Sequence, residues 1–166
     1  MLSYFRHDLT PGIRAFATAL ALVGLAGAIV ALFASQMLSG DTFSGGNLTL
    51  AASWSGLCGA VGTIWSTILC LKWLGFRGTL GALQVALAVV SITFMSSVAA
   101  GTLILPLYGT MFGPLSVVMT FINTPALAAA WVGAIVYAHV LIARWRDERE
   151  SIFEFELPAQ DQVQTY

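Results

Sequence analysis

The stretch LTLAASWSGLCGAVGTIWSTILCL, residues 48–71, decides how the rest of the chain is read. Projected at about 100° per residue, Ala52, Gly56, Gly59, Thr63, Ser66 and Cys70 fall on one narrow stripe, and Trp54, Leu57, Val61, Ile64, Trp65 and Ile68 fall opposite. One side is nearly bare backbone and the other is bulky. In hydrocarbon, small side chains let two backbones approach, so that dispersion and weak hydrogen bonding accumulate. The stretch therefore reads as a packing helix inside a membrane bundle.

The chain around it has the same character. Of 166 residues, 58% are hydrophobic and 9% charged, at a mean hydropathy of +0.84, whereas soluble domains carry about 25% charge. Crossing a hydrocarbon core of about 30 Å takes about 20 apolar residues. Four stretches qualify, at about 15–38, 48–71, 79–105 and 125–144. The expected fold class is all-α, a polytopic four-helix transmembrane bundle over residues 1–145 with a cytoplasmic tail, 146–166. This leaves no room for a soluble catalytic module. The first stretch is longer than the roughly 7–15 apolar residues of a secretory signal and lacks a small-x-small cleavage site, so it reads as a retained helix.

The seven basic residues fix the expected orientation. Arg6 and Arg14 precede the first span, Lys72 and Arg77 lie between the second and third, and Arg144, Arg146 and Arg149 follow the fourth. By the positive-inside rule both termini are then cytoplasmic, N-in/C-in, and the expected location is a bacterial cytoplasmic (inner) membrane. The three C-terminal arginines read as a topology anchor rather than a site for one lipid. Nothing resembles a nucleic-acid footprint.

The first span repeats the spacing of the second: Ala17, Ala21, Gly24, Ala28, Ala31 and Ser35 recur every three or four residues. A sustained seven-residue repeat implies a left-handed supercoil, so these two stripes are expected to pack antiparallel across the loop 39–47. Thr10 and Pro11 suit a helix start. In the third span, Gln84 reads as an interhelical hydrogen-bonding group.

Residues 106–124 are uncharged and interrupted by Pro106 and Pro114. They read as a short extra helix at the outer interface or a re-entrant segment before the last span. Met111 and Phe112 are candidate docking residues there. Thr124 and Pro125 suit the start of the fourth helix. In the tail, residues 152–157 alternate apolar and acidic side chains, as an edge-adding strand does, and Phe153, Phe155 and Leu157 are candidate partner-docking residues. A mobile tail is the alternative.

Reactive chemistry is sparse. No Asp or Glu lies within a span, and no carboxylate pair, nucleophile set or phosphate loop is visible. The two cysteines, Cys58 and Cys70, are about 18 Å apart along one helix and cannot bridge each other. Of the two histidines, His139 is the one candidate ligand for a pigment or haem, and it would need a second ligand from another subunit. No cofactor is otherwise implied. The sequence thus favours a non-enzymatic accessory or assembly subunit, with other integral membrane subunits and the lipid bilayer as partners. The alternatives are a small oligomeric transporter or channel component and a pigment- or haem-contacting subunit using His139.

Overall fold

A backbone in hydrocarbon has no water to bond, so its polar groups must be satisfied within the segment. The computed structural model of the protein meets that demand with helices. It describes residues 10–39, 50–76 and 78–155. Among them are five α-helices, α1 (Pro11–Ser39), α2 (Leu50–Leu69), α3 (Thr79–Ile104), α4 (Gly109–Asn123) and α5 (Pro125–Phe155). A single 3-10 turn, Leu71–Trp73, follows α2. There is no strand among the described residues.

α1, α3 and α5 each contain a stretch long and apolar enough to cross a membrane, and α4 is a shorter apolar helix. α2 has 20 residues and no charge, but with its Gly, Ser, Thr and Trp content it is not among those three. α1 packs most extensively on α2 and α5, α2 on α3, and α3 on α4. α4 also touches α1 and α5, while α3 and α5 meet only slightly.

The polarity of α2 runs inside out. In α2, Trp54, Leu57, Val61, Trp65 and Ile68 are exposed, and Gly56, Gly59, Gly62, Thr63, Ser66 and Thr67 are buried. Bulk toward lipid costs nothing, because lipid tails are as apolar as leucine; what holds helices together is close packing. The larger core side chains, Val23, Leu74, Ile92, Trp131, Ile135 and Ile142, come from four segments and fill the centre.

Helix ends follow local chemistry. At the start of α1 the Thr10 hydroxyl accepts from the Ile13 N–H, 3.4 Å, and the Glu148 carboxylate of α5 accepts from the Gly12 N–H. The first turn of α1 contains no acid of its own, so α5 supplies the negative charge that a helix N-terminus favours. α3 returns to α4 through a tight turn in which Leu107 adopts a φ of +76°. At the start of α5 the Thr124 carbonyl accepts from the Leu127 and Ala128 N–H groups, 3.0 and 3.3 Å.

Two segments depart from the sequence reading. α4 starts at Gly109 and includes Pro114 in its interior, so the segment read as interrupted at Pro114 holds one continuous 15-residue helix. Pro114 removes one backbone donor and leaves the remaining ladder in place. The backbone at 152–155 is helical, the end of α5, where a strand was expected. An established helix propagates more easily than a new element nucleates, and Arg, Glu and Ser residues after Trp145 do not stop it. Leu157, the rest of the tail, the loop 40–49, His7, Arg6 and Arg77 lie outside the described residues.

Candidate functional site

Three features carry chemistry: glycine seams, a histidine clamp and a lateral groove. The first seam joins α1 to α2. A Cβ built on Gly59 would sit 2.5 Å from the Gly27 carbonyl oxygen, and one built on Gly27 would sit 2.8 Å from the Gly59 carbonyl oxygen. No L side chain fits either place. Gly24 lies against Ile64, and Gly56 against Leu32. Gly62, on another side of α2, approaches the α3 backbone at Ser96 and Ala100, 3.0 and 3.1 Å from a built Cβ. A second seam joins α3 to α4, with Gly101 against Gly109 and Gly113 against the Ser97 carbonyl.

Between the seams is a small cavity of about 30 Å³ lined by hydroxyls of Thr63, Thr93, Ser96 and Ser97. That volume has room for one or two water molecules. Each hydroxyl donates to a carbonyl of its own helix: Thr63 to Gly59 at 2.7 Å, Thr93 to Val89 at 2.6 Å, Ser96 to Thr93 at 3.2 Å and Ser97 to Phe94 at 2.7 Å. Such back-bonding lets a polar side chain sit in an apolar interior. Trp131, 4% exposed, donates its indole N–H to the Thr93 hydroxyl at 2.8 Å and links α5 to α3.

His139 clamps the turn between α2 and α3 onto α5. The Gly75 N–H donates to its Nδ1 at 3.0 Å, and its Nε2 lies 3.0 Å from the Phe76 carbonyl oxygen. Nδ1 is therefore the acceptor, and the ring is the neutral tautomer with its proton on Nε2, donated to Phe76. A metal ligand would need one of these bonds broken. Gly75 has a φ of +89°, a conformation that glycine adopts readily. Beside it, Arg146 donates to the Leu71 carbonyl at 2.7 Å and lies over the Phe76 ring at 4.7 Å. Phe16 of α1 stacks on Trp145, with ring centroids 4.8 Å apart.

Next to this clamp, α3 and α5 stand apart around a groove of about 680 Å³. Gly81, Ala82 and Val85 form one wall, Val136, Val140 and Ala143 the other, His139 the base, and Arg144 is at its edge.

The residues singled out from the sequence distribute unevenly. Ala52, Gly56, Gly59, Thr63 and Ser66 lie on the half-buried or buried side of α2, and Gly24, Ala28 and Ala31 lie on covered parts of α1. Ala17 and Ala21 are exposed. The buried arc of α1 is rotated from the expected stripe because α1 serves two neighbours: Ala19 and Val23 enter the core shared with α5, while Gly24, Gly27 and Ala31 meet α2. Met111 is 83% exposed and Phe112 59% exposed on α4. Phe153 and Phe155 belong to the last turn of α5. The Gln84 carbonyl oxygen is buried without a hydrogen-bond partner among the described residues. Cys58 and Cys70 are free and buried. Among the described residues no three His, Cys, Asp or Glu side chains cluster.

Gly27, Trp131, the contact of Glu148 with Gly12 and the facing of Gly101 with Gly109 and Gly113 are not read from the sequence. Trp131 carried a signal: an indole N–H in the middle of a span needs an acceptor. The glycines of 101, 109 and 113 are four apart in part, but the pattern is broken by the turn at 105–108.

No protein-family model, curated protein or solved structure matches the chain. Its own geometry defines the class, an all-α, membrane-embedded protein in which α1 to α4 close on small residues.

Proposed function

We propose that the protein is a non-catalytic integral membrane subunit that stabilises or assembles a larger membrane complex, of the respiratory or photosynthetic kind. In this reading α2 is a fourth crossing, both termini are cytoplasmic, and the membrane is a bacterial inner membrane. One observation supports it above the others: the interior polar chemistry is turned inward on itself. The hydroxyls of Thr63, Thr93, Ser96 and Ser97 bond to their own helices around a cavity of about 30 Å³. An interior of that kind serves packing, and it leaves the outer faces, including Met111 and Phe112, for lipid and neighbouring subunits.

Extraction in a mild detergent through an N-terminal tag, followed by mass spectrometry and an absorption spectrum, tests the proposal. Stoichiometric co-purification with other membrane subunits is the expected result. A colourless homo-oligomer with no companion would overturn it. The hydroxyl cluster favours one second reading, a transport component in which the same groups line a path in an oligomer. Ser96→Ala and Ser97→Ala separate the two, being silent for a packing subunit and altering flux for a path.

A further inference from the structure

We infer that the groove between α3 and α5 is a binding site for one anionic phospholipid, its acyl chain lying between the two helices and its phosphate at Arg144. The groove exists because the walls are made of small or short side chains and because α4, which covers α3 at Ser97 and Gly101, contributes no lining residue here. A Cβ placed on Gly78, at the groove's end, would meet nothing within 4 Å. Its volume of about 680 Å³ falls within the range of about 300–1,000 Å³ typical of ligand sites.

Three observations select the occupant. The walls are apolar: Ala82 and Val85 face Val136, Val140 and Ala143, and they offer an acyl chain contact without any polar group to desolvate. The base is closed to hydrogen bonding, since both ring nitrogens of His139 are taken by the Gly75 and Phe76 backbone. The remaining polar feature is a cation. Arg144, which the sequence alone assigns to a topology anchor, is placed by the structure at the groove's edge and exposed, whereas Arg146 is committed to the Leu71 carbonyl and the Phe76 ring. A guanidinium matches a phosphate oxygen pair well, and basic recesses between membrane helices are suited to anionic headgroups. The same end of the bundle carries Arg14, Lys72 and Arg149, so the edge lies where headgroups are expected. The inference depends on membrane embedding and not on membership of a complex.

The test uses the full-length protein in mild detergent, offered phosphatidylglycerol and phosphatidylcholine in mixed micelles, with bound lipid read by native mass spectrometry. The wild type is expected to hold one phosphatidylglycerol per chain and to prefer it over phosphatidylcholine by about fivefold, the effect of one arginine near a headgroup. Arg144→Gln, an exposed substitution that leaves the packing intact, should bring that preference close to one. Ala82→Trp should fill the groove and reduce retention of both lipids. Undiminished preference in Arg144→Gln overturns the inference. So does undiminished lipid retention in a folded Ala82→Trp, or recovery of a neutral quinone or a peptide segment in the groove when the protein is taken directly from its membrane. If Ala82→Trp does not fold, Arg144→Gln decides alone.

Discussion

The α1–α2 seam and the α3–α5 pair place apolar helices side by side and reach opposite results. At the seam, Gly27 and Gly59 bring the two backbones into contact and leave no room for a methyl group. At the α3–α5 pair, comparably small residues, Gly78 and Ala82, border open space. Small side chains permit close approach but do not cause it. What closes the first pair is that small residues on both helices face each other, so that each backbone fills the other's hollow. In the second pair the hollow of α3 faces Val136 and Val140, and the turn at 74–76, held by His139, keeps the helices at a distance.

The largest expected effect breaks the seam. Gly59→Leu should destabilise the bundle by about 3 kcal/mol or more, the upper range for overpacking a filled interior, as measured by thermal or steric-trap unfolding in detergent. Wild-type stability would show that the backbones do not touch there. His139→Ala comes next, at about 2 kcal/mol, because it orphans the Gly75 N–H and the Phe76 carbonyl. The same variant sharpens the comparison on the groove side, since a loosened turn should let α3 approach α5 and shrink the groove; an undisturbed melting temperature would remove the clamp from the account. Trp131→Phe isolates the α5–α3 hydrogen bond and should cost about 0.6 kcal/mol, the average for such bonds in membranes. A loss several times larger would mean that the Trp131 ring packing, rather than its N–H, joins those helices. Smallest of all is Ala82→Leu, a similar increase in bulk to that at Gly59 but made in the groove. It should stay within about 0.5 kcal/mol, and a cost near that of Gly59→Leu would erase the contrast between the two sites.

Much of the architecture was legible because its cause is periodic. The stripe Gly56, Gly59, Thr63 and Ser66 could be read off α2, and those residues lie on its buried side, since a helix buried on one side repeats its partner's demands every turn. Likewise Pro11 and Thr124 stand at helix starts, where the chemistry of a cap is local. The less legible contacts join residues far apart in the chain. The Gly12–Glu148 hydrogen bond spans 136 positions, and the Gly75–His139 bond spans 64. No pattern within one segment encodes either. The rotation of α1 escaped for a related reason: its alanines are so numerous that Ala17 and Ala21 look like Gly24 and Ala31, and only the second neighbour, α5, chooses between them. The groove is a mismatch between two helices and leaves no mark on the sequence of either one.

The clasp between Glu148 and the start of α1 also bears on biosynthesis. α1 finds α2 as soon as a hairpin emerges, but the partner that covers Ala19 and Val23 and caps Gly12 is made last, on the order of ten seconds later at ordinary translation speed. A cysteine substituted for Ala19 should be open to a membrane-permeant thiol reagent in nascent chains arrested before α5, and protected in the finished chain; equal protection in both would contradict this order. In the interval the first helix has a bare flank and lacks the Glu148 contact at its start, and the arrival of α5 is the step that completes it.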